Sequence, residues 1–370
     1  MTLPFNLIEP VLTLLGVETI DGLQILDGRG IAQMYHPPIN PDYPVLIGNV
    51  YNQQTTSEVK RVLLNQYSRE FSVKLAHNPG AATTQVETLP LSDIDTSTLI
   101  DSTTMLFVPA LGEMTSFEQF QEVIAHLRAP EGCPWDRKQT HKSLRQYLLE
   151  EAYEVLEAID QEDPQALAEE LGDLMLQIVL HTQIAIDNGE FHMTDVMRQV
   201  NQKMVRRHPH VWSTSTVKDA EEVVLNWQAI KQQEKAENGK GDQSLLDSIP
   251  KTLPALMLAL EYQARAAKVG FDWDEISDVR AKINEELDET LAAKTAKERA
   301  DEIGDVLFVM VNWARWLKID PESALRDTSA KFYRRFSFIE QRVRETGKQM
   351  TDFTLAELDT FWNAAKKSGL

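Results

Sequence analysis

From residue 117 to the end of the chain, apolar residues return every three or four positions, the period of a helix with one buried face. Leu144, Leu148, Ala152, Val155, Leu156 and Ile159 predict one such helix. Asp163-Pro164 predicts the start of the next, with an N-cap followed by proline in the first turn, and Leu167, Leu171, Leu174, Met175 and Ile178 continue it. Residues 1–115 are patterned differently. Short apolar runs at 46–50, 71–75 and 105–109 lie between turn residues and predict strands. Residues 57–66 have helical spacing through Val59, Val62 and Leu63, so this part is expected to be a small α/β unit.

The polar positions carry a duplication. Glu150-Glu151-Ala152-Tyr153-Glu154, followed by Glu170-Leu171-Gly172-Asp173, returns as Glu285-Glu286-Leu287-Asp288-Glu289, followed by Glu302-Ile303-Gly304-Asp305. Ahead of the acids, Cys133-Pro134-Trp135-Asp136 corresponds to Gly270-Phe271-Asp272-Trp273-Asp274 through the shared Trp-Asp pair. Behind them, Lys203-x-x-Arg206-Arg207 corresponds to Lys331-x-x-Arg334-Arg335, and Trp227-x-x-x-Lys231 to Trp362-x-x-x-Lys366. Landmarks repeated in one order point to two duplicated domains, since a solenoid needs about three or more units. Glu151 and Glu154 share one helix face, as do Glu170 and Asp173. Two antiparallel helices would bring these four carboxylates to one point. Oxygen donors without His or Cys partners favour Mg²⁺, with Mn²⁺ second, over zinc. Gly172 is expected to let the partner helix come close.

The chain is thus expected to hold a small α/β domain over 1–115, a helical domain over 117–237, a linker over 238–249 and a second helical domain over 250–370, opened near Pro250 and Pro254. Its 42% hydrophobic residues give each copy a core to bury. A net charge of −20 argues against an extended nucleic-acid surface, although local basic patches still suit a small phosphorylated ligand. The single cysteine, Cys133, fits a reducing compartment. No basic segment opens the chain, residues 11–17 are too short for a signal, and no apolar run approaches the roughly 18 residues of a membrane span. A cytoplasmic location is expected.

Each candidate has a plainer alternative. An acidic helix is commonly a solvated face, but such faces interleave Lys or Arg at i+4. Between Arg145 and Arg198 there are thirteen Asp and Glu and no Lys or Arg. Something else must neutralise them. The second copy differs, because Lys282, Lys294, Lys297 and Arg299 stand near its acids and predict partial salt-bridging. Lys203, Arg206 and Arg207, with Lys331, Arg334 and Arg335, are either exposed basic turns or phosphate-oxygen ligands. Trp227 and Trp362 either pack inside or stack on a nucleobase, with Lys231 and Lys366 one turn away. Cys133-Pro134 reads as a turn and not as half of a Cys133–His141 nucleophile pair. His208-Pro209-His210 reads as local packing and not as a zinc half-site.

Together Cys133-Pro134-Trp135-Asp136, Gln139-Thr140-His141, Leu149-Glu150-Glu151, Glu170-Leu171-Gly172-Asp173 and Arg206-Arg207-His208-Pro209-His210 resemble the MazG family of nucleoside triphosphate pyrophosphohydrolases. The resemblance covers residues 117–370 and includes a tandem arrangement. It implies two all-α helical bundles, completed by homodimerisation, that hydrolyse nucleoside triphosphates or their deoxy forms to monophosphate and pyrophosphate with Mg²⁺. That activity would clean the nucleotide pool. By position it implies Glu151, Glu154, Glu170 and Asp173 as metal ligands, and Glu286, Glu289, Glu302 and Asp305 in the second copy. Glu150 and its counterpart Glu285 are the candidate general bases, and the basic and tryptophan residues above would bind substrate. Reading Phe271-Asp272-Trp273 in place of Cys-Pro-Trp agrees with second domains of that family.

Residues 44–51, 57–60 and 86–91 resemble the carboxy-terminal half of a tetrapyrrole methylase domain. The glycine-rich half that helps hold S-adenosylmethionine in that family does not occur in this sequence. Residues 1–115 are therefore expected to be a remnant, a regulatory module or a truncated piece of such a domain. Two rival functions stay open: a non-catalytic nucleotide- or metal-binding module, and a tetrapyrrole methyltransferase. Pyrophosphate release with Mg²⁺ against EDTA separates the first, and S-adenosylmethionine binding the second.

Overall fold

The computed structural model describes residues 8–17, 22–237, 244–247 and 249–370. Two compact units are formed, residues 1–212 and residues 213–370. Of the expected linker, residues 238–243 and 248 lie outside the described residues, and the division between the units falls ahead of it.

The first unit opens with α1 (Ile8–Leu14), β1 (Gln24–Asp27), α2 (Gly28–Ala32), β2 (Val45–Gly48), α3 (Gln53–Leu63), β3 (Ser72–His77), β4 (Gln85–Pro90) and β5 (Met105–Val108). The strands form one sheet in the order β1-β2-β5-β3-β4, with β1 parallel to β2 and the other pairs antiparallel. Alternation along the strands makes two cores. Val45, Ile47, Val73, Leu75, Leu106 and Val108 pack on Val59, Val62 and Leu63 of α3. Leu46, Ala76, Met105 and Phe107 pack on Val11 and Leu15. The three expected strands are β2, β3 and β5, and the expected helix is α3. It starts earlier than its apolar spacing indicated because Asn52 caps it, accepting from the Thr55 amide at 2.8 Å. The edges, β1 and β4, were not foreseen. Half-exposed β4 is fastened from inside: the Glu87 carboxylate meets buried His77 at 2.9 Å and accepts from Ser97.

The rest of the first unit is α4 (Phe117–Arg128), α5 (Arg145–Asp160), α6 (Pro164–Asn188), α7 (Met193–Arg207) and α8 (Pro209–Trp212). As the sequence predicts, Asp163 caps α6, accepting from the amides of Gln165 at 2.9 Å and Ala166 at 3.1 Å. Gly189, left-handed with φ 71°, ends that helix. Leu144 and Ile124 pack against Val179, Leu180 and Ile184 of α6 and against Met193. That core fixes α5 against α6. Gly172 has no part in it: a Cβ there would meet nothing within 4 Å, so the expectation of a close approach is corrected. Gly132, by contrast, is required by space, since a Cβ there would lie 2.3 Å from the His126 carbonyl. The turn at 129–139 is clamped by Arg128, which donates to the carbonyls of Asp136 and Gln139 and to Asp187.

The second unit contains α9 (Ala220–Glu237), α10 (Ala255–Ala267), α11 (Ile276–Ala292), α12 (Ala296–Trp316), α13 (Pro321–Glu345) and α14 (Leu355–Lys367). Thr295 and Glu298 form a capping box at α12, and Asp320-Pro321 opens α13 as Asp163-Pro164 opens α6. Helices α10 and α11 both pack on α12, and α14 packs on α13. Val279, Val311, Ile339, Val343 and Ala365 are buried in this unit.

Leu144 is 1% exposed at the point where α5 meets the core, so Leu144→Ala should cost about 2–5 kcal/mol of stability. Urea denaturation of the full chain measures it. A loss under about 0.5 kcal/mol, the range of an ordinary surface substitution, contradicts this packing.

Candidate active site

Helices α5 and α6, joined only by residues 161–163, bring Glu151, Glu154 and Glu170 together. One oxygen from each carboxylate lies within 4.8 Å of the others. Asp173 stands outside that set, yet its charge acts on both Glu151 and Glu170. Burial, followed by the shared contact with Glu154 and the Asp173 charge, pushes the Glu151 carboxyl up. Burial and the charges of Glu154 and Asp173 push Glu170 up as well. Among the described residues no Lys or Arg pairs with any of these four acids. The nearest relief is a neutral one: buried Gln177 donates to Glu151 at 3.3 Å. Glu150, the candidate base, is exposed.

Helices α11 and α12 repeat the arrangement with Glu286, Glu302 and Asp305, again within 4.8 Å. Here Glu289 is the one outside, and its charge, after burial, helps push the Glu302 carboxyl up. Glu286 is only 6% exposed. Lys282 answers part of the charge, its Nζ lying 2.8 Å from both Glu285 and Glu286. Those hydrogen bonds raise the Lys282 ammonium pKa. Of the four cations expected near this copy, Lys282 is the one that reaches these acids. The Lys294 amide and the Arg299 side chain serve the start of α12 instead. Glu285, the second candidate base, is therefore shared with an ammonium.

Beside this second cluster lies a cavity of about 620 Å³. Glu286, Asp305 and Lys282 form part of its wall, and Tyr262, Phe271, Trp273 and Phe308 much of the remainder. Sequence reasoning did not find it, because its walls come from α10, α11, α12 and the 270–274 turn. The only signal was Phe271-Asp272-Trp273 at the place of the first copy's Cys-Pro-Trp.

The expected basic and tryptophan residues gather elsewhere. Arg335 and Lys366 lie over the Trp362 ring at 5.4 and 5.9 Å, and Phe332 contacts the same ring. Arg335 also donates to the Leu370 carbonyl at 2.7 Å. Neither these nor Lys331 and Arg334 line the cavity. In the first copy Lys203, Arg206 and Arg207 stand on α7, and Lys231 lies 5.2 Å over Trp227 on α9. His141 engages His181, Nδ1 to Nδ1 at 2.8 Å, and not Cys133. His208 donates locally from Nδ1 to the Met204 carbonyl at 2.7 Å.

Residues 139–212 match the profile of the MazG nucleotide pyrophosphohydrolase domain, and residues 253–331 that of phosphoribosyl-ATP pyrophosphohydrolase. The chain is 44% identical over 250 residues to the nucleoside triphosphate pyrophosphohydrolase/pyrophosphatase MazG of Thermotoga maritima, covering 95% of that protein and 68% of this chain. It is 41% identical over 260 residues to the nucleoside triphosphate pyrophosphohydrolase of Escherichia coli K12, covering 98% of that protein and 69% of this chain. The chain belongs to the MazG family. The two acidic clusters fall one within each matched stretch. The Bacillus subtilis uncharacterized protein YabN is 41% identical over 371 residues, covering 98% of this chain and 75% of that protein, so its likeness extends through the sheet domain too. Among the described residues no helix is long and apolar enough to cross a membrane.

Carboxyls raised in the fold destabilise it once ionised. Metal-free stability should therefore rise as pH falls through those raised values toward the ordinary 4.5, and fall as pH rises. At pH 7.5 without divalent ions, Glu170→Gln should melt higher than the parent, and Mg²⁺ should lift the parent more than the variant. Scanning calorimetry reads both. A lower-melting variant, or equal lifts, contradicts a repulsive cation-binding cluster.

Proposed function

We propose that this chain hydrolyses nucleoside triphosphates to monophosphate and pyrophosphate with Mg²⁺, Mn²⁺ serving as substitute. The observation that carries this reading is the convergence of three carboxylates in each unit, in a family whose relatives are named for this reaction. All-oxygen donors in a half-buried, like-charged cluster fit a hard divalent cation. Glu151, Glu154, Glu170 and Asp173 would hold it in the first domain, and Glu286, Glu289, Glu302 and Asp305 in the second. When bound, Mg²⁺ supplies charge neutralisation at the triphosphate and activation of a water.

The chain's own groups do the rest. Glu150 would take the proton from the attacking water, and Glu285 would do so in the second domain once Lys282 moves to a phosphate oxygen. Lys203, Arg206 and Arg207, with Lys331, Arg334 and Arg335, would offset charge on the triphosphate and the leaving pyrophosphate. Trp227 with Lys231, and Trp362 with Lys366, are ready-made aromatic–cation pairs for a nucleotide. A second copy of the chain would bring these surfaces toward the acids. Exposed Leu171, Met175 and Ile178 on α6, and their counterparts Ile303, Leu307 and Met310 on α12, give a homodimer apolar faces to bury. We read residues 1–115 as a tetrapyrrole methylase-like module, and the protein as cytoplasmic.

The test is pyrophosphate release from a panel of ribo- and deoxynucleoside triphosphates, with Mg²⁺ and then with EDTA. Changing Glu151→Gln and Glu286→Gln together should lower kcat at least about 100-fold, the loss of a few kcal/mol of charge stabilisation. Undiminished turnover in that variant overturns the assignment. Nucleotide binding without turnover in the parent leaves a non-catalytic module instead.

A further inference from the structure

We infer that the Lys282 ammonium stands in for a divalent cation at the second acidic cluster, so that the two domains take up metal at different concentrations, the first domain before the second. This rests on the hydrolase reading above and gives its cation an order of loading. Three observations carry the inference.

Lys282 holds a place among the candidate ligands. Its Nζ lies 2.8 Å from both Glu285 and Glu286, but the two partners differ. The Glu286 side chain is 7% exposed and belongs to the converging group with Glu302 and Asp305. The Glu285 side chain is 56% exposed and stays outside that group. The bond to Glu286 therefore sets a full positive charge against the buried member of the cluster, where the local dielectric is low and charge counts most. A second cation brought to the same carboxylates would be repelled at short range. Lys282 must release Glu286 before the cluster can close on a metal.

The released ammonium has other partners at hand. Lys282 lines the cavity that holds Glu286 and Asp305, and also a second cavity of about 350 Å³ that holds Glu285, Asp274 and Asp278. Asp278 is exposed and stands four residues ahead of Lys282 on α11, so the two share a helix face. By turning about its own side-chain bonds Lys282 can leave Glu286, keep Glu285 and approach Asp278. It thereby exchanges a buried partner for exposed ones and remains charged.

The first copy has neither the cation nor its alternative anchor. On the offset that aligns Glu151 with Glu286, Tyr147 stands where Lys282 does and Ser143 where Asp278 does. Ser143 is engaged by Gln139, its Oγ donating at 2.7 Å. The group that reaches Glu151 is the neutral Gln177 amide, whose Oε1 is a buried acceptor without a hydrogen-bond partner. The first cluster thus has a further neutral oxygen beside it where the second has an ammonium.

The test is a Mn²⁺ titration of the metal-free full chain at neutral pH, read by electron paramagnetic resonance. Two classes of site should appear, with affinities at least about tenfold apart. With Glu151→Gln and Glu170→Gln together, the weaker class should remain. Adding Lys282→Met to that chain should tighten it about tenfold, and Lys282→Arg should leave it weak. Scanning calorimetry in EDTA gives the second readout: Lys282→Met should melt below the parent, since its carboxylates then lack their counter-charge. Tighter metal binding with lower metal-free stability is a pair of opposite signs that a packing role for Lys282 does not produce. Two equal sites in the parent, or a Lys282→Met variant that binds Mn²⁺ no more tightly, overturn the inference and leave the hydrolase reading standing. A parent that binds no Mn²⁺ overturns both.

Discussion

Mutual repulsion among carboxylates on facing helices is the constraint around which both helical units are built. Glu151, Glu154 and Glu170 would separate if α5 and α6 were free to do so, since like charges in a half-buried setting raise one another's proton affinity. What opposes them is apolar packing behind the site, where Leu144, Val179, Leu180 and Ile184 hold the pair together. On the proposed function, a divalent cation would convert the same arrangement from a liability into a source of stability, and stability and activity would be tied to one set of side chains.

The two copies solve that constraint differently. Four residues ahead of Glu286 the second copy has Lys282, which answers Glu285 and Glu286 directly. At the corresponding position the first copy has Tyr147, whose ring meets Trp135 edge-on with centroids 6.0 Å apart. One helical turn thus carries either an internal counter-charge or an aromatic prop for the preceding turn. Among the described residues, the exchange leaves the first acidic cluster without a paired Lys or Arg and sets the second beside an open aromatic cavity. Duplication preserved the acids and let their surroundings diverge.

The acidic clusters were legible in the sequence because Glu-x-x-Glu and Glu-x-x-Asp spacings fix which side chains share a helix face. The Asp163-Pro164 start of α6 was legible for a similarly local reason. Central strands β2 and β5, buried on both faces, showed as apolar runs, whereas edge strand β4 carries exposed Gln85, Val86 and Thr88 and gave no such run. Which acid of each four would stand slightly apart, Asp173 in one copy and Glu289 in the other, depends on the rotation of one helix against its neighbour. The cavity depends on Gln263, Phe271 and Asn312, far apart along the chain. Gly172 misled because a glycine beside a site can equally face open space.

Counting bound Mn²⁺ by electron paramagnetic resonance tests the central claim most directly, because it reads cation capture without any assumption about substrate. The account predicts two Mn²⁺ per chain, one for each carboxylate cluster, falling to one when Glu151 and Glu170 are both changed to glutamine. A parent protein that leaves all the Mn²⁺ free in solution would contradict it.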